Sequence, residues 1–375
     1  VSTDLSRNTL ARRGVGLRHL DRDAAYDGYT LYTPIAGAGE TYLIDLDGVV
    51  VHTWRLPFPP GRHARILDTG NLLFNGKLDQ DEPLFPIWGV YHGGIVAEVA
   101  PDSTILRRLD HPFQHHDAIV LRNGNLALLT VERLTPEQAE RVRGGVPGSE
   151  AAGGAIYGDV VVEVTWDGEQ VWRWSAAENL DPDEAVLDRH FARDHWPMAN
   201  TISETPDGDL IVGFRSTSQV VLIRRGTGEI GWTLGAPHVA QQHYPHQLDN
   251  GNILVFDNGS FRDPISFPYS RAVEWNPASG EEVWVYQDNP PQNFYSPYMG
   301  SAQRLPNGNT LIAEGSFGRI FEVTTDGRVV WEYRVPEFGA FGAGVGLDSS
   351  QGPNNSIFRA YRYPREAVAH LLPPS

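Results

Sequence analysis

Short apolar stretches alternate along this chain with two kinds of polar turn. In the first kind, an apolar run meets a small polar residue and usually Gly, then resumes towards Trp, Tyr or Leu. It occurs from Tyr42 through Gly48 to Trp54, Ile95 through Ser103 to Leu109, and Val160 through Gly168 to Trp174. It returns from Val220 through Gly228 to Trp232, Ala272 through Gly280 to Trp284, and Ile320 through Gly327 to Trp331. The second kind is tighter: Leu67-Asp-Thr-Gly70-Asn, Leu121-Arg-Asn-Gly124-Asn, Thr205-Pro-Asp-Gly208-Asp, Leu248-Asp-Asn-Gly251-Asn and Leu305-Pro-Asn-Gly308-Asn. Asn-Gly or Asp-Gly between apolar runs is a strong hairpin signal, and the pattern predicts type I′ turns. Each tight hairpin precedes one Trp-type hairpin, so a repeat of roughly 45–65 residues carries four short strands, the mark of a propeller or similar array.

The first Trp hairpin, around Gly48, has only half a partner. Asp27-Gly28-Tyr-Thr-Leu31 reads like the second strand of a tight hairpin, whereas Ser356 to Tyr363 is an alternating strand with no partner of its own. Pairing the two completes a blade, and closure removes exposed sheet edges. The predicted fold is therefore all-β: a six-bladed β-propeller with four-stranded blades, closed by pairing of N- and C-terminal strands. One propeller domain over residues 28–375 follows an N-terminal arm, residues 1–27, that wraps the outside. Two stretches break the rhythm, 132–157 (with a short helix from Pro136) and 176–193, and are expected as loops on one face, a common place for binding. The glycine-rich run from Phe338 to Gly346 is expected to be a mobile loop near the closure.

Composition narrows the function. The net charge of −17 argues against nucleic acid, since phosphate contact needs a basic face. The apolar runs are too short to span a membrane. With no cysteine, disulfides, thiolate catalysis and Cys-ligated zinc are excluded. The chain begins at Val1 with neither Met nor a signal-like segment, which fits a processed, exported (periplasmic or secreted) protein. Gly226-Thr-Gly228-Glu-Ile-Gly231 matches a dinucleotide-binding pattern but falls in a hairpin, so it reads as a turn.

The repeat also supplies a register. Seven residues before the first polar residue of each tight turn stand Arg62, His116, Asn200, His243 and Gly300. Equivalent positions start the same strand in five blades, and if that strand is innermost they ring a central channel. More histidines gather nearby in Gln114-His115-His116-Asp117, Asp194-His195-Trp196 and Gln241-Gln-His243-Tyr-Pro-His246, with Arg215 and Asp257-Asn258 one strand further on. A single histidine at a strand end is usually structural. Histidines at equivalent or near-equivalent places in three blades point to an active site, with Arg62 and His246 as further substrate contacts.

The segments Tyr42 to Trp54, His115-His-Asp117, Asn250-Gly-Asn-Ile-Leu-Val-Phe-Asp-Asn-Gly259, Arg304 to Ile312, Gly318 to Tyr333 and Arg359 to Tyr363 resemble the arylsulfotransferase family, in its shorter branch without a large N-terminal domain. The resemblance runs from about Gly28 to the end. It implies a six-bladed propeller that transfers a sulfuryl group between phenols without a nucleotide donor, through a transiently sulfated histidine. By motif position, His243 matches the nucleophile, His116 a second catalytic histidine with His115 adjacent, and Asn200 and Arg215 ligands of the sulfate. The family's D-W-x-H-x-N pattern has Met198 where its histidine would stand, and His195, three residues earlier, is the candidate to fill that place.

Two other readings compete. In a metal-dependent lyase or hydrolase, three imidazoles from among His115 or His116, His195, His243 and His246, with Gln242 or Asp257, would hold a divalent ion such as Zn, Mn or Fe, the first choice being His116, His195 and His243. In a non-catalytic binding propeller the same positions would only recognise a ligand. The transferase reading implies no cofactor and a small aromatic or anionic substrate, and it leaves the oligomeric state open.

Overall fold

The computed structural model describes residues 8–80, 82–264, 267–340 and 352–372. Six sheets, each built on four antiparallel strands, form the blades of a β-propeller. Blade 1 runs Ile357–Tyr363, Tyr29–Pro34, Glu40–Ile44 and Val50–Arg55, so the C-terminal strand does pair with the N-terminal one, Tyr29 opposite Tyr363. Blade 2 is Pro60–Ile66, Leu72–Lys77, Gly94–Val99 and Ile105–Asp110; blade 3 is Gln114–Val120, Leu126–Arg133, Tyr157–Val164 and Gln170–Ser175. Blades 4 and 5 comprise Ala199–Glu204 to Ile230–Leu234 and His243–Gln247 to Glu281–Tyr286. Blade 6, from Ser301–Arg304 to Val329–Arg334, gains a fifth strand at its edge, Gly16–Leu20. The chain divides into two compact units with three blades each: blades 1, 2 and 6 in one, and blades 3, 4 and 5 with the segment Asp79–Gly94 in the other.

The turns correct one expectation. Gly70, Gly124, Gly208, Gly251 and Gly308 all have φ between 83° and 88°, but the residues before them stay at negative φ. Each Gly N–H bonds the carbonyl three residues back, as Gly124 does to Leu121, while the Leu121 N–H bonds the Asn125 carbonyl. These are type I turns closed by a left-handed Gly, not type I′ turns. The three-residue loop needs only one positive φ, so Thr69, Asn123 and Asn307 need not adopt one. In the Trp-type hairpins Gly48, Gly168, Gly228, Gly280 and Gly327 hold a left-handed place, and in blade 2 Ser103 takes it, at φ 72°.

The Asn residues flanking these glycines have a second task. Asn123 and Asn125 both donate to the buried Glu163 carboxylate, at 2.8 and 2.7 Å. Asn71 donates to Glu98, Asn250 and Asn252 to Glu274, and Asn309 to Glu322. A carboxylate on the third strand thus ties down the tight turn in four blades. Blade 4 inverts the charges: Asp209 accepts from the Arg224 guanidinium and the Arg225 N–H. Between blades the tryptophans serve as rivets. The indole N–H of Trp54 bonds the Ala100 carbonyl, that of Trp174 the Gly228 carbonyl, and that of Trp331 the Leu46 carbonyl.

The two rhythm-breaking stretches meet. Gly144–Val146 pairs in parallel with Leu187–Ala192, behind a short helix, Pro136–Arg141, capped by Thr135 and Gln138. In an up-and-down blade, the connection from second to third strand and the one leading to the next blade emerge at the same end as the start of the first strand. Both stretches, and the segment 79–94, are such connections. Of the glycine-rich run 338–346, the residues from 341 on lie outside the described residues; Gly339 bridges Asn354. Among the described residues no helix is long and apolar enough to cross a membrane.

Candidate active site

The register positions lie where each blade's first strand begins. Arg62 is third in Pro60–Ile66, His116 third in Gln114–Val120, Asn200 second in Ala199–Glu204 and His243 first in His243–Gln247, while Gly300 immediately precedes Ser301–Arg304. In the unit holding blades 3 to 5, the first strand of blade 4 packs against those of blades 3 and 5. Ladder register slips in these three strands at the site residues themselves, between Ala199 and Thr201 and between His243 and His246, and opposite Leu128 to Thr130 for the histidine pair. His116, Met198, Gln241 and Tyr244 have positive φ there, from 50° to 65°. Bulges and left-handed residues re-aim side chains that a regular strand would send to alternate faces, at a cost of about 1–3 kcal/mol per strained residue.

One result is a buried cluster built on Asp159. His115 Nε2 lies 3.1 Å and His195 Nε2 3.0 Å from Asp159 Oδ1, with all three side chains at 0–1% exposure. The His195 contact is an aligned hydrogen bond; His115 Nε2 is out of line and has no hydrogen-bond partner among the described residues. His115 Nδ1 meets His116 Nδ1 at 2.8 Å, and the Tyr91 hydroxyl meets His195 Nδ1 at 2.9 Å. The Ala199 N–H donates to Asp159 Oδ2 at 2.8 Å. Burial alone would raise the Asp159 carboxyl, but the neighbouring His195 and His115 rings hold it well below its ordinary value, as an anion. Burial holds the His115 imidazole below its ordinary value, against the pull of Asp159 and the Thr130 carbonyl, so it is neutral near pH 7.

His243 forms a second centre. Its Nδ1 lies 2.7 Å from Asn258 Oδ1, and both residues are buried. An amide oxygen only accepts, so Nδ1 carries a proton, and in the neutral ring the lone pair is on Nε2. Asn200, on the strand between the two centres, donates to the Gln242 carbonyl at 2.7 Å; its Oδ1 is buried without a hydrogen bond among the described residues. Gly213 makes room for it, since a Cβ there would meet Asn200 Oδ1 at 3.1 Å and Pro245 at 3.3 Å. The His246 ring lies tilted against Tyr244, with centroids 4.6 Å apart and Nδ1 3.2 Å from the Tyr244 carbonyl.

Arg215 follows the second strand of blade 4. Its guanidinium lies over the Phe191 ring at 4.9 Å, with Nη1 3.9 Å from the Met198 sulfur. Met198 belongs to an apolar cluster with Phe85, Trp88, Tyr91 and Phe191, so where the related pattern carries a histidine this chain carries a packed thioether. His195 points to Asp159 and Tyr91. Asp257 is engaged by Arg262, Arg271 and the Ala240 N–H, and Gln242 Nε2 donates to two backbone carbonyls.

Among the described residues, one set of three candidate metal-ligand atoms lies within 4.8 Å of one another: those of His115, Asp159 and His195. Of the histidines expected as ligands it contains His115 and His195, and not His116, His243 or His246. Arg62 belongs to the other unit, 5.8 Å over the Phe358 ring and next to His63, whose Nε2 lies 3.2 Å from Arg359 Nη1. Sequence reasoning missed Asp159 and Tyr91. A lone Asp opening the valine run at Val160 was a signal for the first, and the aromatic-rich insertion around Trp88 for the second.

Comparisons with known proteins bear on the family and the fold. The family model described as arylsulfotransferase (ASST) matches residues 98–336. No curated protein sequence matches the chain. Among solved structures, a protein of unknown function from Bacteroides caccae is 15% identical, with a TM-score of 0.54, over 90% of this chain and 99% of its own. A streptogramin B lyase is 13% identical, with a TM-score of 0.47, over 86% and 83%. A protein from Lactobacillus plantarum is 11% identical, with a TM-score of 0.46, over 90% and 100%. At such identities the likeness is one of fold.

Proposed function

The chain belongs to the arylsulfotransferase family, and on that premise we propose that it transfers a sulfuryl group from an aryl sulfate to a phenolic acceptor through His243. The observation that supports this most directly is the 2.7 Å hydrogen bond between His243 Nδ1 and Asn258 Oδ1. It selects the tautomer whose Nε2 lone pair attacks sulfur. In the first half-reaction an N–S bond forms, the sulfur–oxygen ester bond breaks, and the departing phenolate takes a proton from His116. In the second, His116 takes the proton of the incoming phenol, whose oxygen attacks sulfur as the N–S bond breaks.

Behind His116 stand His115 and the Asp159 anion, which stabilise the protonated imidazole through the 2.8 Å contact. Arg215 and Asn200 are the donors for the sulfuryl oxygens. With Met198 in place of a histidine the site has one donor fewer, a loss of about 10²–10³ in rate relative to a site that keeps it.

A chromogenic aryl sulfate with a phenol acceptor tests the proposal. Expected are ping-pong kinetics, a burst of released phenol stoichiometric with protein, and one sulfuryl group on the peptide containing His243. A His243→Ala variant that keeps the burst, or a wild-type protein that releases no phenol, would overturn it.

A further inference from the structure

We propose that His115, Asp159 and His195 form a binding site for one divalent first-row transition ion, of which zinc is the simplest probe. The three donor atoms already converge: His115 Nε2 and His195 Nε2 stand 3.1 and 3.0 Å from Asp159 Oδ1. Donors around a tetrahedral ion with bonds of about 2.0–2.1 Å are separated by about 3.3 Å, so admitting an ion asks for an opening of a few tenths of an ångström. Two neutral imidazoles and a carboxylate suit zinc, iron(II) or manganese(II), and they leave a coordination position for a further oxygen ligand.

Two independent observations carry the assignment beyond proximity. First, His115 Nε2 is fully buried and aimed into the cluster, yet it has no hydrogen-bond partner among the described residues. A cluster closed by hydrogen bonds alone would align both histidines on the carboxylate, and this one aligns only His195. Second, the far side of each ligand is held as metal ligands require. His195 Nδ1 contacts the Tyr91 hydroxyl, His115 Nδ1 contacts His116 Nδ1, and Asp159 Oδ2 accepts the Ala199 N–H. Each outer partner of a histidine can accept the N–H that a metal-bound imidazole must turn outward.

The site does not depend on which group the enzyme transfers.

The test uses the full-length chain, stripped with a chelator and dialysed. Cobalt(II) titration should give saturable visible d–d bands at one equivalent, displaced by zinc, and calorimetry with zinc alone should give the same stoichiometry. His195→Ala should abolish binding. Tyr91→Phe, which removes only an outer hydrogen bond, should weaken it about 10- to 100-fold with the circular dichroism spectrum unchanged. His243→Ala should bind as wild type does, so loss of the sulfuryl-transfer reading and loss of the ion site are separate results. Absence of saturable cobalt and zinc binding in the folded wild-type protein overturns the proposal. So does undiminished binding in His195→Ala or, if that variant does not fold, in Tyr91→Phe.

Discussion

Replacing Asn258 is the sharpest probe of how His243 is prepared for attack. The Asn258 carbonyl accepts the Nδ1 proton at 2.7 Å between two buried side chains. Asn258→Leu removes the acceptor and leaves a buried N–H without its partner, a cost of about 1–3 kcal/mol. The imidazole can escape that cost by moving its proton to Nε2, the atom that must attack. If about 2 kcal/mol of tautomer preference is lost, the burst rate falls about 30-fold, since about 1.4 kcal/mol is a factor of ten. Asn258→Asp keeps an acceptor in the same place and should retain the burst to within about tenfold. Its negative charge raises the His243 pKa, so the acidic limb of the burst-rate profile moves to higher pH. Stopped-flow release of a nitrophenol from its sulfate ester measures all of this. A folded Asn258→Leu protein with an unchanged burst, or an Asp variant as slow as the Leu variant, refutes the tautomer argument.

Three further outcomes follow from the packing and the charges. The Glu163 carboxyl is buried, which alone would raise its pKa, but Asn125, Asn123 and Arg225 bring it below the ordinary 4.5. Its stabilising contribution is therefore complete above about pH 4.5 and is lost as pH falls through the lower folded value; acid unfolding of Glu163→Gln should lose that part of the pH dependence. Glu322 and Arg362 form a fully buried ion pair, with Arg362 also bonding Thr30 Oγ1 at 3.0 Å and lying over Trp331, and burial pulls the Arg362 pKa down to about 10. Arg362→Met should cost about 3–5 kcal/mol in urea unfolding and adding Glu322→Leu should recover much of it; a single-variant loss under about 1 kcal/mol would contradict this. Met198→His places a polar ring in the apolar cluster around Phe85 and Trp88 and should lower the melting temperature by the equivalent of about 1–3 kcal/mol, while the regained donor raises the transfer rate. A folded variant no faster than wild type would show that the missing donor does not limit transfer.

Much of the propeller was legible because a short strand leaves few ways to turn: a positive φ every few residues calls for Gly, and Gly70, Gly124 and Gly251 announce themselves. Counting from those turns located the first-strand seats of His116 and His243. The count could not show that His115 also faces the site. Strict alternation would send neighbours to opposite faces, and only the slip opposite Leu128 to Thr130, with φ 50° at His116, brings both rings together. Asp159 was hidden because its strand reads as a buried apolar run, and Tyr91 because its segment belongs to no repeat. Asn258 sits in an Asp-Asn-Gly string that looks like turn material; its hydrogen bond to His243 depends on where blade 5 folds back.

The carboxylate ties of the tight turns also set a rule for exchanging parts between blades. In blade 3 the turn offers amides to Glu163, whereas in blade 4 it offers the Asp209 carboxylate to Arg224 and the Arg225 N–H. A hairpin moved from blade 4 into blade 3 without its third strand would set Asp209 against Glu163, two anions in a buried corner. The interchangeable unit is therefore three strands and not two. A library of recombined blades cut after the second strand should yield few folded members, and one cut after the third many.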